Sequence, residues 1–483
     1  MVQDSRLAAI FVLAFLALAS PAAAGPTGTW TQVTNFSADG SNTDEVGLAR
    51  TPNGVLHVLW TVDESVLNTR VSADAQSVLG TSSVFRYTGG GVNNAVALLP
   101  GPAGSLRAFF AGLISTDENH DGGMSTATST DGVSWNVQPT LASQSDGAGN
   151  EESPVYAAAG IGGTMFSNGT PLSVWGDSGP NAHGYHVGTS QATPDVLFGG
   201  STATVSYPGA ATDGDTGAVA VGWNDIDTGK VFVAFVRPST SPWFPPSAAT
   251  NPPGAGAADL QHPVGISGRS GGEGGIYVAY LRGTNPFSSN AAIWRVGAGN
   301  IENLSKADAQ SVGVTAGPDG RLWAFWTQED GSIHVRRSDT EATTWGADTK
   351  VKPPSGTSAL WSLKGEGSSL SCGALDLVAL ATADGATANF QQRVLPGLTL
   401  KKKVLNGKKG KKAKVRFTTL DAGDPVNATV KFGKASAATG DDGKVELKIK
   451  RKKRTRKVKA TATDSCFAKA TVKVKVTKKL PAE

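Results

Sequence analysis

The sequence predicts an all-β chain, a β-propeller followed by a small β-sandwich. Three observations predict it. Short runs that alternate between two faces recur about every 50 residues, the period of propeller blades. Turn formers separate them throughout, with 60 glycines and 25 prolines in 483 residues. The balance of charge reverses near residue 397, where one unit ends and another begins.

The clearest copy of the repeat is Ala316–Gly346. In Arg321–Thr327, Leu322, Ala324 and Trp326 take one face while Trp323 and Phe325 take the other. Large side chains on both faces mean a strand buried on both sides. The Asp-Gly pairs at Asp319–Gly320 and Asp330–Gly331 let the chain reverse tightly at positive φ. Equivalent strands end on Trp60, Phe110, Trp175, Trp223, Tyr280 and Trp326, with a weaker seventh on Leu380. No such unit can bury its own faces, so the copies must pack radially. Seven blades result; six is the alternative if residues 360–394 form a cap. The lone strand Gly28–Val33 is expected to become the outer strand of the last blade, so that no sheet edge is left open. The Pro-rich passages Pro238–Pro253 and Lys352–Ser355 read as excursions between blades.

The beginning of the chain concerns destination. Arg6 precedes an apolar run from Leu7 to Ala19, and Ser20–Ala24 supplies an Ala-x-Ala site. Residues 1–24 therefore read as a cleaved secretory signal. The run is shorter than the ~20 residues a membrane span needs. The expectation is a secreted or cell-surface monomer with no membrane span. There are two cysteines, Cys372 and Cys466. In an oxidising compartment they can form one disulfide or remain as two buried thiols, and spacing alone leaves both open.

Residues 25–397 form the propeller in this reading and residues 398–480 a Lys-rich sandwich. From Leu398 onward stand 26 Lys+Arg against 7 Asp+Glu, leaving 18 against 33 before it. In the second unit, Lys444–Lys450 and Val472–Val476 alternate apolar and charged residues, as half-buried strands do. Its pattern of short strands resembles the small Ig-like modules that end many bacterial surface proteins. Lys408, Lys409, Arg451, Lys452, Lys453, Arg454 and Arg456 concentrate charge suited to an anionic cell-envelope polymer. Phe417, Phe432 and Phe467 are its only aromatic residues, too few for base stacking, so nucleic acid is not an expected partner. The opposed option is that this basic unit docks on the acidic propeller.

Ser129–Trp135 reads Ser-Thr-Asp-Gly-Val-Ser-Trp and resembles the Asp box, or BNR repeat, of the sialidase superfamily. Ser129, Asp131, Gly132 and Trp135 carry the likeness. Ser338–Trp345 resembles a degenerate copy, with Thr340 at the Asp position and Ala342 at the Gly position, and Ser72–Asp74 is a fainter one. The resemblance implies a propeller whose boxes lie between third and fourth strands and stabilise blades. It does not extend to the superfamily's active site. No Arg-Ile-Pro motif occurs, and Asp44 stands near where its arginine would be. No catalytic residue is assigned.

Two further constellations point to ligands. The residues leading into the innermost strands, Asp44, Glu45, Asn94, Glu151, Glu152, His262 and Gln310, are expected to ring the mouth of the central channel. Asp117, Asn119 and Asp121 follow the Asp-x-Asn-x-Asp-Gly pattern of a Ca²⁺ loop, although Thr128 replaces the bidentate Glu. The sequence thus points to an exported, non-catalytic binding protein for a glycan or protein ligand. The alternative is a sialidase-like hydrolase or lyase using carboxylates at the mouth.

Overall fold

The computed structural model describes residues 29–34, 46–62, 65–86, 92–113, 122–137, 142–143, 160–176, 185–188, 195–196, 205–225, 229–236, 249–253, 264–271, 274–283, 289–305, 308–369, 372–383, 385–406 and 411–477. Among the described residues up to Val394 the chain forms seven small antiparallel sheets, each from consecutive strands except the last, which also takes in an N-terminal strand. Their first strands are Gly47–Arg50, Val92–Pro100, Ile161–Met165, Val205–Thr212, Gly265–Gly268, Ala309–Ala316 and Ala359–Glu366. These strands face one another around a common channel, and the last lies beside the first. The fold is a β-propeller.

The repeat works because its second strands are buried on both faces. Trp60, Phe110, Trp175, Trp223, Tyr280 and Trp326 are all at most 5% exposed. Trp326 packs toward the fifth sheet with Tyr277 and Leu281, while its neighbours Trp323 and Phe325 pack toward the seventh with Leu363 and Leu377. Burying a side chain of this size contributes about 2–3 kcal/mol, and only an adjacent sheet can supply the cover.

The first strands carry a small residue at the channel: Gly47, Ala97, Gly162, Gly209, Gly265, Gly313 and Gly365. In the first six sheets it lies opposite the residue just before the anchoring aromatic. Close approach demands it. A Cβ on Gly162 would stand 2.5 Å from Pro208 O, and one on Gly209 2.5 Å from Val264 O. Gly365 lies opposite Leu377, three residues before Leu380, so the last repeat is out of step with the others.

Thr31–Gln32 pairs with Ala386–Val394 and becomes the outer strand of the seventh sheet, the closure expected of the lone N-terminal strand. Ions reinforce the seam. Arg50, at the end of the first sheet's inner strand, donates to Glu366 at 2.7 Å and to Asp376 of the seventh sheet. Asp376 also accepts from Gln391 and Arg393. Burial works to lower the Arg50 pKa, but the Glu366 and Asp376 charges outweigh it and hold it above the ordinary value. The passage Pro238–Pro253 is not wholly an excursion, because Thr250 pairs with Val233 at the edge of the fourth sheet.

Among the described residues beyond 397, two antiparallel sheets share one core. The first joins Thr399–Val404, Lys412–Asp421, Asp424–Pro425 and Lys444–Lys450. The second joins Ala435–Ala438, Thr429–Phe432, Arg456–Thr463 and Ala470–Val476. Phe417 and Phe432 meet edge to face at 5.2 Å between them.

This module is fastened to the propeller. Cys372 and Cys466 form a disulfide. Arg337 donates to Asp421, Arg321 reaches Asp424 at 2.7 Å, and Ala468 N donates to Pro396 O. The polarity of this joint is the reverse of a basic module on an acidic propeller. Here the propeller supplies the arginines and the module the carboxylates.

Candidate functional site

The channel encloses about 240 Å³ and is lined mainly by glycines, aliphatic side chains and backbone. Among the described lining residues Lys364 alone is charged. Of the predicted mouth residues, Asp44, Glu45, Glu151, Glu152 and His262 lie outside the described residues. Asn94 falls on the inner strand Val92–Pro100. Gln310 is the extra residue where register slips between Ala309 and Ser311, a bulge that leaves it exposed. The Ca²⁺-type residues Asp117, Asn119 and Asp121 also lie outside the described set. Among the described residues no cluster of three His, Cys, Asp or Glu is placed to hold a metal.

The turn at Ser129 is built by short acceptors. Ser129 Oγ accepts from Gly132 N at 2.8 Å, and Asp131 Oδ1 accepts from Val133 N and Ser134 N, each at 2.8 Å. Gly132 has φ +68°. Ser72 and Asp74 repeat the arrangement around Ala75 at φ +59°. At Ser338 the acceptor is Asp339, not position 340: its carboxylate takes Thr343 N and Thr343 Oγ1, with Ala342 at φ +54°. All three turns join third and fourth strands of their sheets.

These turns also clamp neighbouring sheets, a role that local sequence does not reveal. Each presents a carbonyl to a donor from the preceding sheet. Asn68 donates to Gly132 O at 2.8 Å, Arg393 to Ala73 O at 2.7 Å, and Arg269 to Thr340 O at 2.7 Å. His57 fills the space beside Gly132 and bonds Thr51 and Asn68. Burial pushes its pKa down to about 4, aided by Arg70 and Arg50.

A groove of about 500 Å³ opens between the fifth and sixth sheets, lined by Gln328, Arg336, Trp345, Asp348 and the edge of Trp326. Arg336 lies over the Trp345 ring at 6.0 Å. Behind the groove runs a hydrogen-bonded series: Asp348 Oδ2 lies 2.8 Å from His334 Nδ1, and His334 Nε2 lies 2.9 Å from Ser332 Oγ. These are the distances of a Ser-His-Asp triad. Burial runs the other way. Ser332 is 2% exposed, whereas the Asp348 side chain is 46% exposed. A hydrolase needs its hydroxyl open to substrate and its carboxylate inside, so this series fixes a carboxylate at the groove instead of activating a nucleophile. Spacing could have hinted at it, because Ser332 and His334 share one strand face, but Asp348 is brought in only by the next strand.

In the module, Arg451 departs from its predicted role. It is 5% exposed and donates to Thr477 and Asn406, so it supports the fold and offers nothing to a polymer. Lys452, Lys453 and Arg454 are exposed and Arg456 is half-buried. Lys408 and Lys409 lie outside the described residues. No helix among the described residues is long and apolar enough to cross a membrane.

No protein-family model matches the chain, and no curated protein matches its sequence. Among solved structures it is similar to an α-L-arabinofuranosidase from Fusarium graminearum in complex with an iminosugar inhibitor. The identity is 12%, over 77% of this chain and 98% of that one, with a TM-score of 0.42. It is also similar to Kuenenia stuttgartiensis hydrazine synthase, at 13% identity over 60% of this chain and 75% of that one, with a TM-score of 0.38.

Proposed function

We propose that the chain is an exported, non-catalytic binding protein. In this reading a seven-bladed propeller of Asp-box type presents a glycan site, and a basic Ig-like module holds it to an anionic polymer of the cell envelope. The observation that carries the glycan reading is the groove between the fifth and sixth sheets. Trp345, with the Arg336 guanidinium over its ring, offers partly exposed aromatic surface to the C–H side of a sugar, while Asp348 and Gln328 offer acceptors and a donor to its hydroxyls. His334 fixes the Asp348 carboxylate, so binding need not order it. The loop at Asp117, Asn119 and Asp121 and the mouth residues remain proposed sites for Ca²⁺ and for a second ligand contact.

Glycan-array binding beside turnover of a fluorogenic glycoside panel tests this. The expected result is binding to a neutral oligosaccharide that Asp348→Asn weakens, with no turnover. Turnover abolished by Glu151→Gln would instead establish the hydrolase alternative at the channel mouth.

A further inference from the structure

The module's second sheet carries its charge as an ordered lattice. Lys457 stands directly opposite Lys475, and Lys459 directly opposite Lys473. All four are exposed. Along the same strands Ala460, Ala462, Val474 and Val476 turn into the core, so alternation puts every lysine on the outer face. Lys431, opposite Thr461 on the adjoining strand, extends that face. None of the sheet's four strands contains an Asp or Glu, and among the described residues none of these lysines is in an ion pair.

Like charges directly opposite one another destabilise a sheet. The module's other sheet relieves the same stress. Lys414 opposes Lys448 there, but Glu446 sits among the cations and pairs with Lys414 at 2.5 Å and Arg416 at 2.7 Å. The second sheet has no such relief among the described residues, which leaves its cations open to an external anion.

We propose that the outer face of this second sheet binds a linear polyanion, with Lys457, Lys459, Lys473 and Lys475 as its contacts. The inference rests on the envelope-anchor reading above and moves the contact from the Arg451–Arg456 loop to the sheet. Facing residues lie about 5 Å apart and alternate residues along a strand about 7 Å apart, so the four lysine stems rise from the corners of a rectangle of those sides. A chain with one phosphate or carboxylate per short repeat can meet them in turn. Lysine suits the task, since a point charge accepts an anion from any direction. Thr461 and Thr471 add hydroxyl donors beside the charges. The face has no aromatic ring on which a base could stack.

The test uses the full chain at physiological salt, with poly(glycerol phosphate) and polygalacturonate as phosphodiester and carboxylate probes and duplex DNA as a third. The double variant Lys459→Glu/Lys475→Glu sets each new carboxylate opposite Lys473 or Lys457. It is expected to melt no lower than the parent at low salt, yet to lose at least about tenfold in affinity for one or both polymers and to flatten their salt dependence. Lys412→Glu/Lys448→Glu, on the Glu446 sheet, is expected to cost less than about threefold. Polymer binding that survives the first variant, or falls equally in both, overturns the assignment of this face while leaving the anchor reading intact. Binding of neither polymer overturns both, and tighter binding of DNA than of either polymer overturns the choice of partner.

Discussion

Arg337 of the sixth sheet donates to Asp421 of the C-terminal module, and the two side chains are 5% and 3% exposed. Arg321 stands 3.6 Å from the same carboxylate. Burial raises the Asp421 carboxyl above its ordinary pKa and lowers the Arg337 guanidinium, while each charge holds the other ionised. Without Asp421, Arg337 keeps Asp319 at 2.8 Å and Arg321 keeps Asp424 at 2.7 Å, both of them partly exposed carboxylates. Asp421→Ala is expected to cost about 2–3 kcal/mol, read by chemical denaturation, because two buried guanidinium groups lose their one buried counter-ion. A cost below about 1 kcal/mol would mean that water already reaches the joint.

Gly132 is held from two sides. Its φ of +68° disfavours any Cβ, and a Cβ there would stand 2.2 Å from His57 Cε1. Gly385 has φ +81°, and a methyl group added to it would meet nothing within 4 Å. Gly385→Ala should therefore cost only the backbone penalty, about 1 kcal/mol. Gly132→Ala adds overpacking and should cost about 2–4 kcal/mol. Equal melting temperatures for the two variants would show that the His57 contact yields freely.

The fold was legible in the sequence because its cause is periodic. Aromatic strands buried on both faces recur, and each copy reports the same packing problem. The channel glycines were equally periodic, and tracking Val46–Leu48, Val264–Ile266 and Val312–Val314 would have exposed the inner strands directly. The groove was not legible. Trp345 and Asp348 stand close to Arg336 in the chain, but the far wall comes from Leu304 and Ser305 of the fifth sheet, and only packing of the two sheets places that wall there. Nor does local composition distinguish Arg451, whose burial depends on Asn406 and Thr477 at distant positions, from the exposed Lys452 beside it.

His57 gives the propeller a pH dependence. Its folded pKa is about 4 against an ordinary 6.5. Between those values the unfolded chain takes up a proton that the folded chain refuses. Stability is therefore fully present above about pH 6.5 and falls as pH drops toward 4, by about 3 kcal/mol in all. In His57→Gln the slope of unfolding free energy across this window should shrink by about one proton. An unchanged slope would assign the pH dependence to other groups.

The disulfide Cys372–Cys466 spans 94 residues and ties two units that each have a core of their own. Its loss should loosen the joint without melting either unit, since Phe417, Val430 and Val474 are buried among module residues alone. Closing a loop of that length is worth about 4–5 kcal/mol in the chain-entropy model, and that stabilisation falls on docking. All 11 Trp and all 6 Tyr precede residue 398, so tryptophan fluorescence sees the propeller and is blind to the module's interior. Cys372→Ala/Cys466→Ala should keep the propeller's fluorescence midpoint within about 1 kcal/mol of the parent. Far-ultraviolet circular dichroism, which sees both units, should meanwhile resolve a separate and earlier module transition. Coincident transitions by the two probes would mean that the Arg321, Arg337 and Asp421 contacts alone couple the units into one cooperative fold.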